Sequence, residues 1–225
     1  MKNDNPVCLD VLIFLGSARV STPPRPARLG ERIARFCTDA LASRGHKVNL
    51  VDPLDIALDG VFKPHFAYQR GKAPEDLELL AKSIIAADAY VMISPEYNHS
   101  MSPALAHLLN HFGSSLFAFK PSTIVTYSAG QWGGARAAVA MRTFLSELGC
   151  LPVSAMIQVP RAADVFTEKG RIREKSDEIA WREYCGRAWA QLEWWGSAAR
   201  TQRAVTDPNT VVKPFLSTPS QRNAP

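Results

Sequence analysis

Short unbroken apolar runs recur along this chain, and between them the apolar residues return at helical spacing. Val11–Leu15 is such a run and stops at Gly16. A strand with one wet face alternates apolar and polar residues, so a run without polar positions reads as a strand covered on both faces. From Leu29 the pattern becomes Leu29, Ile33, Phe36, Cys37, Ala40 and Leu41, one side of a helix. Gly45 then stands where a helix C-cap glycine belongs.

The pattern repeats. Lys47–Val51 reads as a second strand, and residues 52–73, with their prolines, glycines and aromatics, as a long irregular connection. Pro74 opens a helix with Leu77, Leu80, Ala81, Ile84 and Ile85 on one face. Residues 89–94 form a third strand. Ser102 and Pro103 supply an N-cap and a first helical position, and Leu105, Leu108, Leu109 and Phe112 continue that helix. A fourth strand over 123–128 precedes a helix over 134–148 that Gly149 stops, and a fifth strand covers 151–157. A last helix runs over 177–195, carried by Trp181, Tyr184, Cys185, Ala188, Leu192 and Trp195. Beyond Thr201 the composition shifts to Pro, Thr, Ser, Gln and Asn. We therefore expect one domain over 8–200 and an extended or disordered tail over 201–225.

Five buried strands separated by helices imply an α/β three-layer sandwich around a parallel sheet. Right-handed crossovers favour the five-stranded order 2-1-3-4-5. In such sheets ligands bind beyond the carboxyl ends of the strands, at the point where strand order reverses. That rule singles out the segments after Leu15, Ser94 and Tyr127.

The first segment runs from Gly16-Ser17-Ala18-Arg19 to Arg28-Leu29-Gly30. Unpaired N–H groups at the helix start favour a phosphate, Ser17 adds a hydroxyl, and Arg19 and Arg28 can pair with phosphate oxygens. Neither a Walker loop nor a G-x-G-x-x-G fingerprint is present. Alone, this segment reads equally as a solvated, arginine-bearing loop. The second segment is Pro95-Glu96-Tyr97-Asn98-His99-Ser100-Met101-Ser102-Pro103. Tyr97 offers a face to a planar ligand and Asn98 an amide to its polar edge, whereas Glu96 is equally suited to local capping. The third is Tyr127-Ser128-Ala129-Gly130-Gln131-Trp132-Gly133-Gly134-Ala135-Arg136, where glycines allow close backbone approach just before a helix.

Charge and cysteine usage narrow the field. The net charge of +5 over 225 residues suits anionic ligands but is too small to argue for nucleic acid. Cys8, Cys37, Cys150 and Cys185 share no metal-site spacing, and no Ser/His/Asp set emerges, so neither a metal nor a catalytic side chain is expected. His107 and His111 lie four apart without a zinc motif around them and read as helix-surface or interface residues. No apolar run is long enough for a membrane, and the expectation is a soluble protein in the reducing cytoplasm.

Taken together, Gly16-Ser17-Ala18-Arg19, Ser94-Pro95-Glu96-Tyr97-Asn98 and Ser128-Ala129-Gly130 with Gly133-Gly134-Ala135-Arg136 resemble the NADPH-dependent FMN reductase family, which includes quinone, azo and chromate reductases. The resemblance spans about Leu9–Val159 and implies a flavodoxin-like fold, FMN as cofactor and NADPH or NADH as hydride donor. It further implies a small-molecule acceptor reduced by a ping-pong mechanism, and a homodimer or homotetramer. By resemblance, Ser17 and Arg19, with Arg28 and the Gly30 backbone, hold the FMN phosphate. Pro95, Glu96, Tyr97 and Asn98 border the ring and ribityl chain, and Ser128, Ala129, Gly130 and Gly133 meet the other side. Arg136 or Arg19 would meet a coenzyme 2′-phosphate. The chain departs from the family at Ser21–Ala27, extra residues that make Ser21 an alternative to Arg28. The aromatic segment Val61–Gly71 either lines an acceptor pocket or covers a partner subunit. The competing readings are a flavin-binding regulatory or electron-carrier protein with little turnover, and an α/β domain that binds no flavin.

Overall fold

The computed structural model describes residues 7–20, 28–58 and 60–211. Its sheet is parallel throughout, in the order β2 (Lys47–Val51), β1 (Asp10–Leu15), β3 (Ala89–Pro95), β4 (Pro121–Tyr127), β5 (Leu151–Pro152). A further short strand, β6 (Ile157–Val159), also pairs with β4. This is the expected 2-1-3-4-5 order. β1 alternates between two cores. Val11, Ile13 and Leu15 pack under α1 (Leu29–Ala42) and the C-terminal helix α7 (Glu178–Val205), while Leu12 and Phe14 pack under the opposite layer. That layer is built from α2 (Glu75–Ala86), α3 (Pro103–Asn110), the short α4 (Ser114–Phe117) and α5 (Ala135–Glu147). Both faces being covered is the physical reason the run carries no polar position.

Helix ends follow local chemistry. The Ser102 hydroxyl accepts from the Leu105 amide at 3.1 Å, with Pro103 in the first turn. After α1, the His46 amide donates to Leu41 O and the Gly45 amide to Ala42 O, with Gly45 at φ 89°. This is the Schellman pattern that a left-handed glycine makes cheap. At the end of α2, the exposed-in-principle carbonyls of Ile84 and Ile85 receive the buried Lys120 ammonium at 2.7 Å each, and Ile84 O also receives the Tyr90 hydroxyl at 2.8 Å.

Two expectations change. The fifth strand over 151–157 is interrupted: Pro152 lies opposite Ser122 and Ile157 opposite Val125, so 153–156 fill the interval that 123–124 fill on β4. The displaced backbone bonds to α7 instead, where Gln191 Oε1 accepts from the Ala155 amide and the Ser154 hydroxyl at 2.9 Å. The single turn α6 (Ala162–Val165) follows β6. The last helix does not stop at Trp195 but continues to Val205, followed by the single turn α8 (Pro208–Val211). The extension of α7 is held by polar contacts. Arg203 Nη2 donates to Asp88 Oδ1 at 2.8 Å, and Arg200 Nη1 to Cys8 O at 2.6 Å. Residues 201–205, expected in the tail, therefore belong to α7, and 212–225 lie outside the described residues. All four cysteines are free thiols, Cys8 exposed and the others buried.

Burial, with the nearby Arg203 charge, pushes the Lys120 amine down from its ordinary 10.5 to about 8. An unfolded chain then holds a proton that the folded one lacks between those two values, so this group makes the protein more stable as pH rises through that window. Relative to Lys120→Met, which carries no such proton, wild-type stability should improve between pH 7.5 and pH 10. Urea-unfolding midpoints of both proteins at the two pH values check this, and a constant difference would count against it.

Candidate active site

β3 and β4 end level, Pro95 facing Tyr127, and β1 stops two residues short of them, Leu15 facing Ile93. The three singled-out loops therefore leave the sheet side by side. At their junction the Gly16 amide donates to Ile93 O at 2.7 Å. A Cβ on Gly16 would lie 2.6 Å from that oxygen and 3.0 Å from the Ser102 hydroxyl, so only glycine lets the first loop sit this tightly on the second.

In the first loop Ser17 is buried, whereas Ala18 and Arg19 are exposed. Arg28 precedes α1 in a left-handed conformation (φ 68°), and α1 has no side-chain cap. The Arg28 guanidinium makes a bidentate ion pair with Asp52 at 2.7 Å and donates to Ser17 O. Burial opposes its charge, but the Asp52 carboxylate more than offsets this and holds its pKa above the ordinary value. Arg28 thus anchors the loop through both terminal nitrogens, and its buried Nε alone has no partner. Asp52, the residue after β2, is the partner that sequence reasoning missed. Tyr127, which opens the third segment, has a role that the sequence reading did not assign. Its hydroxyl lies against Gly30 and beside Ser17, and burial pushes its pKa up to about 12, so it is protonated at any working pH. Ser17, Arg28 and Gly30 are thereby gathered into one cluster. Ser21–Ala27 lie outside the described residues.

In the second loop the Glu96 carboxylate accepts from the Arg136 amide at 3.2 Å, the Ala137 amide at 3.4 Å and Arg136 Nη1 at 3.1 Å. It is therefore the N-terminal cap of α5, favourably placed against the positive helix end. The Tyr97 and Ser100 backbones exchange two hydrogen bonds of 2.9 Å around Asn98 (φ 49°) and His99 (φ 63°). Two successive non-glycine residues in the left-handed region form a type I′ turn, a conformation with stored strain of the kind found at ligand sites. This turn leaves Tyr97 exposed beside the first loop.

In the third loop the Ser128 hydroxyl is used internally, donating to Gly130 O at 2.7 Å and accepting from the Gly133 amide at 2.9 Å. A Cβ on Gly134 would lie 2.8 Å from Thr126 Cβ, which explains the second glycine of the pair. Ala129, Gly130 and Trp132 are exposed, and Arg136 lies over the Trp132 ring at 5.7 Å. The Glu96–Arg136 pair joins the second and third loops. Segment 61–71 instead packs on α3, with Phe62 against His107 and His111 at 5.8 and 4.8 Å.

A cavity of about 760 Å³ opens at the opposite edge of the sheet. Phe119, Pro121, Leu151, Trp195 and Ala199 line it, at the amino ends of β4 and β5. It is apolar and far from the strand carboxyl ends. Size alone does not outweigh the convergence of backbone donors, strained turns and paired charges at the other edge.

Residues 9–164 match the family model described as NADPH-dependent FMN reductase. An NAD(P)H-dependent FMN reductase of Pseudomonas aeruginosa is 32% identical over 103 residues, 44% of this chain and 56% of that protein. An NADPH azoreductase of a Bacillus species is 34% identical over 82 residues, 35% of this chain and 46% of that protein. The matches thus span about half the length of these relatives. Among solved structures, FerB of Paracoccus denitrificans, a flavoenzyme NAD(P)H:(acceptor) oxidoreductase, superposes with a TM-score of 0.64 at 21% identity. That superposition covers 84% of this chain and 98% of FerB, and it speaks for the flavodoxin-like fold. With a family match over most of its length that takes in all three loops, this chain belongs to the NADPH-dependent FMN reductase family.

Proposed function

We propose that this chain binds FMN at the carboxyl edge of its sheet and works as an NAD(P)H-dependent oxidoreductase on small acceptors. The observation that carries this reading is an asymmetry between two helix N-termini at one edge. α5 is already capped by the Glu96 carboxylate, whereas the residue before α1, Arg28, gives it no side-chain cap and Ser17 stands beside it. An anion is favoured at the second and disfavoured at the first. The surroundings fit a flavin phosphate. Arg28 Nε–H is buried without a partner, and Gly130 faces open space, with nothing within 4 Å of an added Cβ.

In this reading Ser17, the Arg19 side chain and the first amides of α1 hold the phosphate, with Arg28 setting the loop through Asp52. The Pro95–Asn98 backbone and the Tyr97 ring border the isoalloxazine on one side, and Ala129, Gly130 and the Ser128-braced turn on the other. Bound FMN supplies the redox chemistry, taking a hydride from the nicotinamide and giving electrons to the acceptor. The residues supply position and exclude water. No side chain need carry a proton in the rate-determining step. Donor and acceptor share one face, so kinetics are ping-pong. The names of the relatives support flavins, azo compounds and quinones as acceptor classes.

The deciding experiment is the absorbance spectrum of the purified protein supplied with FMN, followed by NADPH without oxygen. A bound flavin spectrum that bleaches on NADPH addition, with parallel double-reciprocal lines in turnover with a quinone, is the expected result. A protein that takes up no FMN overturns the reading. Bound flavin with negligible NADPH turnover would favour the regulatory binder instead. Arg136, half-exposed beside Trp132, is the proposed contact for the coenzyme 2′-phosphate. Arg136→Ala should raise KM for NADPH about tenfold while leaving KM for NADH within about twofold, as expected for loss of one charged hydrogen bond. Equal effects on the two coenzymes would reject that role.

A further inference from the structure

We propose that Tyr127 is a phosphate-binding residue, its buried hydroxyl held against Gly30 in the first turn of α1 and donating a hydrogen bond to the phosphate monoester of FMN. This inference rests on the FMN reading above and gives a role to the last residue of β4, which heads the third loop and was assigned none there.

The geometry begins with contact. A Cβ built on Gly30 would lie 2.4 Å from the Tyr127 hydroxyl oxygen and 2.9 Å from the ring carbon bearing it. The phenol therefore occupies the space a side chain at Gly30 would need. A phenol oxygen accepts two hydrogen bonds and donates one. The hydroxyl lies against Gly30 and beside Ser17, and the proposed arrangement has those two groups donate to it and its own proton go to the anion. That proton is retained, because burial pushes the hydroxyl pKa up to about 12.

The surroundings hold a surplus of donors. Helix starts are commonly capped by an acceptor from Ser, Thr, Asp or Asn, but the residue before α1 is Arg28, which gives no side-chain cap. Its side chain is nine-tenths buried, and Nε–H has no partner. The Gly30 amide, the Ser17 and Tyr127 hydroxyls and the Arg28 guanidinium thus lie around one point, while the nearby carboxylate of Asp52 is consumed by the Arg28 terminal nitrogens. The Tyr127 ring is packed in the core with Val125, Ile33 and Val159. The donor is fixed before the ligand arrives, and little side-chain freedom is lost on binding.

The test compares two ligands that differ only in the phosphate. FMN and riboflavin are titrated into flavin-free wild type, Tyr127→Phe and Gly30→Ala, following quenching of flavin fluorescence, with apo-protein melting recorded alongside. Tyr127→Phe keeps the ring and removes the hydroxyl; Gly30→Ala keeps the hydroxyl and displaces it. Both should weaken FMN about tenfold or more, the effect of one hydrogen bond to a charged group, and leave riboflavin within about twofold. If FMN affinity is unchanged or rises, or if both flavins weaken in parallel, Tyr127 is a structural cap and the proposal is overturned. A wild type that binds both flavins equally overturns it too while leaving flavin binding intact. A wild type that binds neither flavin overturns the FMN reading itself.

Discussion

The bond from the Gly16 amide to Ile93 O is the contact on which the carboxyl edge of the sheet depends. It continues the β1–β3 ladder one residue beyond Leu15, at the point where strand order reverses. Because no side chain fits at Gly16, the first loop lies directly on Ser102, whose hydroxyl caps α3 and whose amide is held by Ser94. One close approach thus fixes the first loop against the second. The second is tied in turn to the third through Glu96 and the N-terminus of α5. Any larger residue at Gly16 would push the strand ends apart and separate the loops that must act together.

The electrostatics of that edge follow from where carboxylates are spent. Helices α1, α3 and α5 start there, each with a partial positive end. Ser102 caps α3 and Glu96 caps α5. Near α1, Asp52 is taken up in a bidentate pair with Arg28 and Glu31 pairs with Arg35. The Coulomb attraction of the Arg28–Asp52 pair stabilises the loop, and Arg28 itself gives α1 no side-chain cap. An edge whose helix starts are capped so unequally has a built-in orientation for a ligand that is anionic at one end and flat at the other. The turn over Tyr97–Ser100 stands between the α1 and α5 starts, and its strained residues are held by backbone bonds rather than by side-chain packing.

Much of this was legible in the sequence, for a physical reason: continuous apolar runs and glycine-bounded loops report burial and backbone conformation, and both are local signals. Val11–Leu15, Ala89–Ser94 and Ser102-Pro103 fall where the patterns place them. What escaped depends on contacts distant in the chain. The break in the fifth strand is satisfied by Gln191, and the last turns of α7 are secured by Arg200 and Arg203 reaching Cys8 and Asp88, none of which apolar periodicity can register. Gly196, inside α7, is a close contact, since a Cβ there would meet Leu9 at 2.7 Å. At the site, Ser17, Arg28 and Gly30 are brought together as expected from the motif, but the groups that arrange them, Asp52 and Tyr127, lie on other strands. Glu96 and Ser128 were recognised as members of the loops; that their side chains brace the loops rather than project from them is a matter of three-dimensional pairing.

The two edges of the sheet also divide the work of the molecule. At the amino edge, Asp88 receives the Asp10 amide and both Arg200 and Arg203, and Lys120 closes the end of α2, so charge there is consumed in joining α7 to the strands. At the carboxyl edge the strongest donors are left facing a shared space. A parallel sheet places every strand's carboxyl terminus, and the start of each following helix, at one edge. Chemistry then needs only that some of those helix starts go without a protein cap. Of the starts beside the three loops, Glu96 answers α5 and Ser102 answers α3, whereas the residue before α1 gives no side-chain cap, and the asymmetry sets which loop takes the anionic end of a ligand and which loops receive the rest of it.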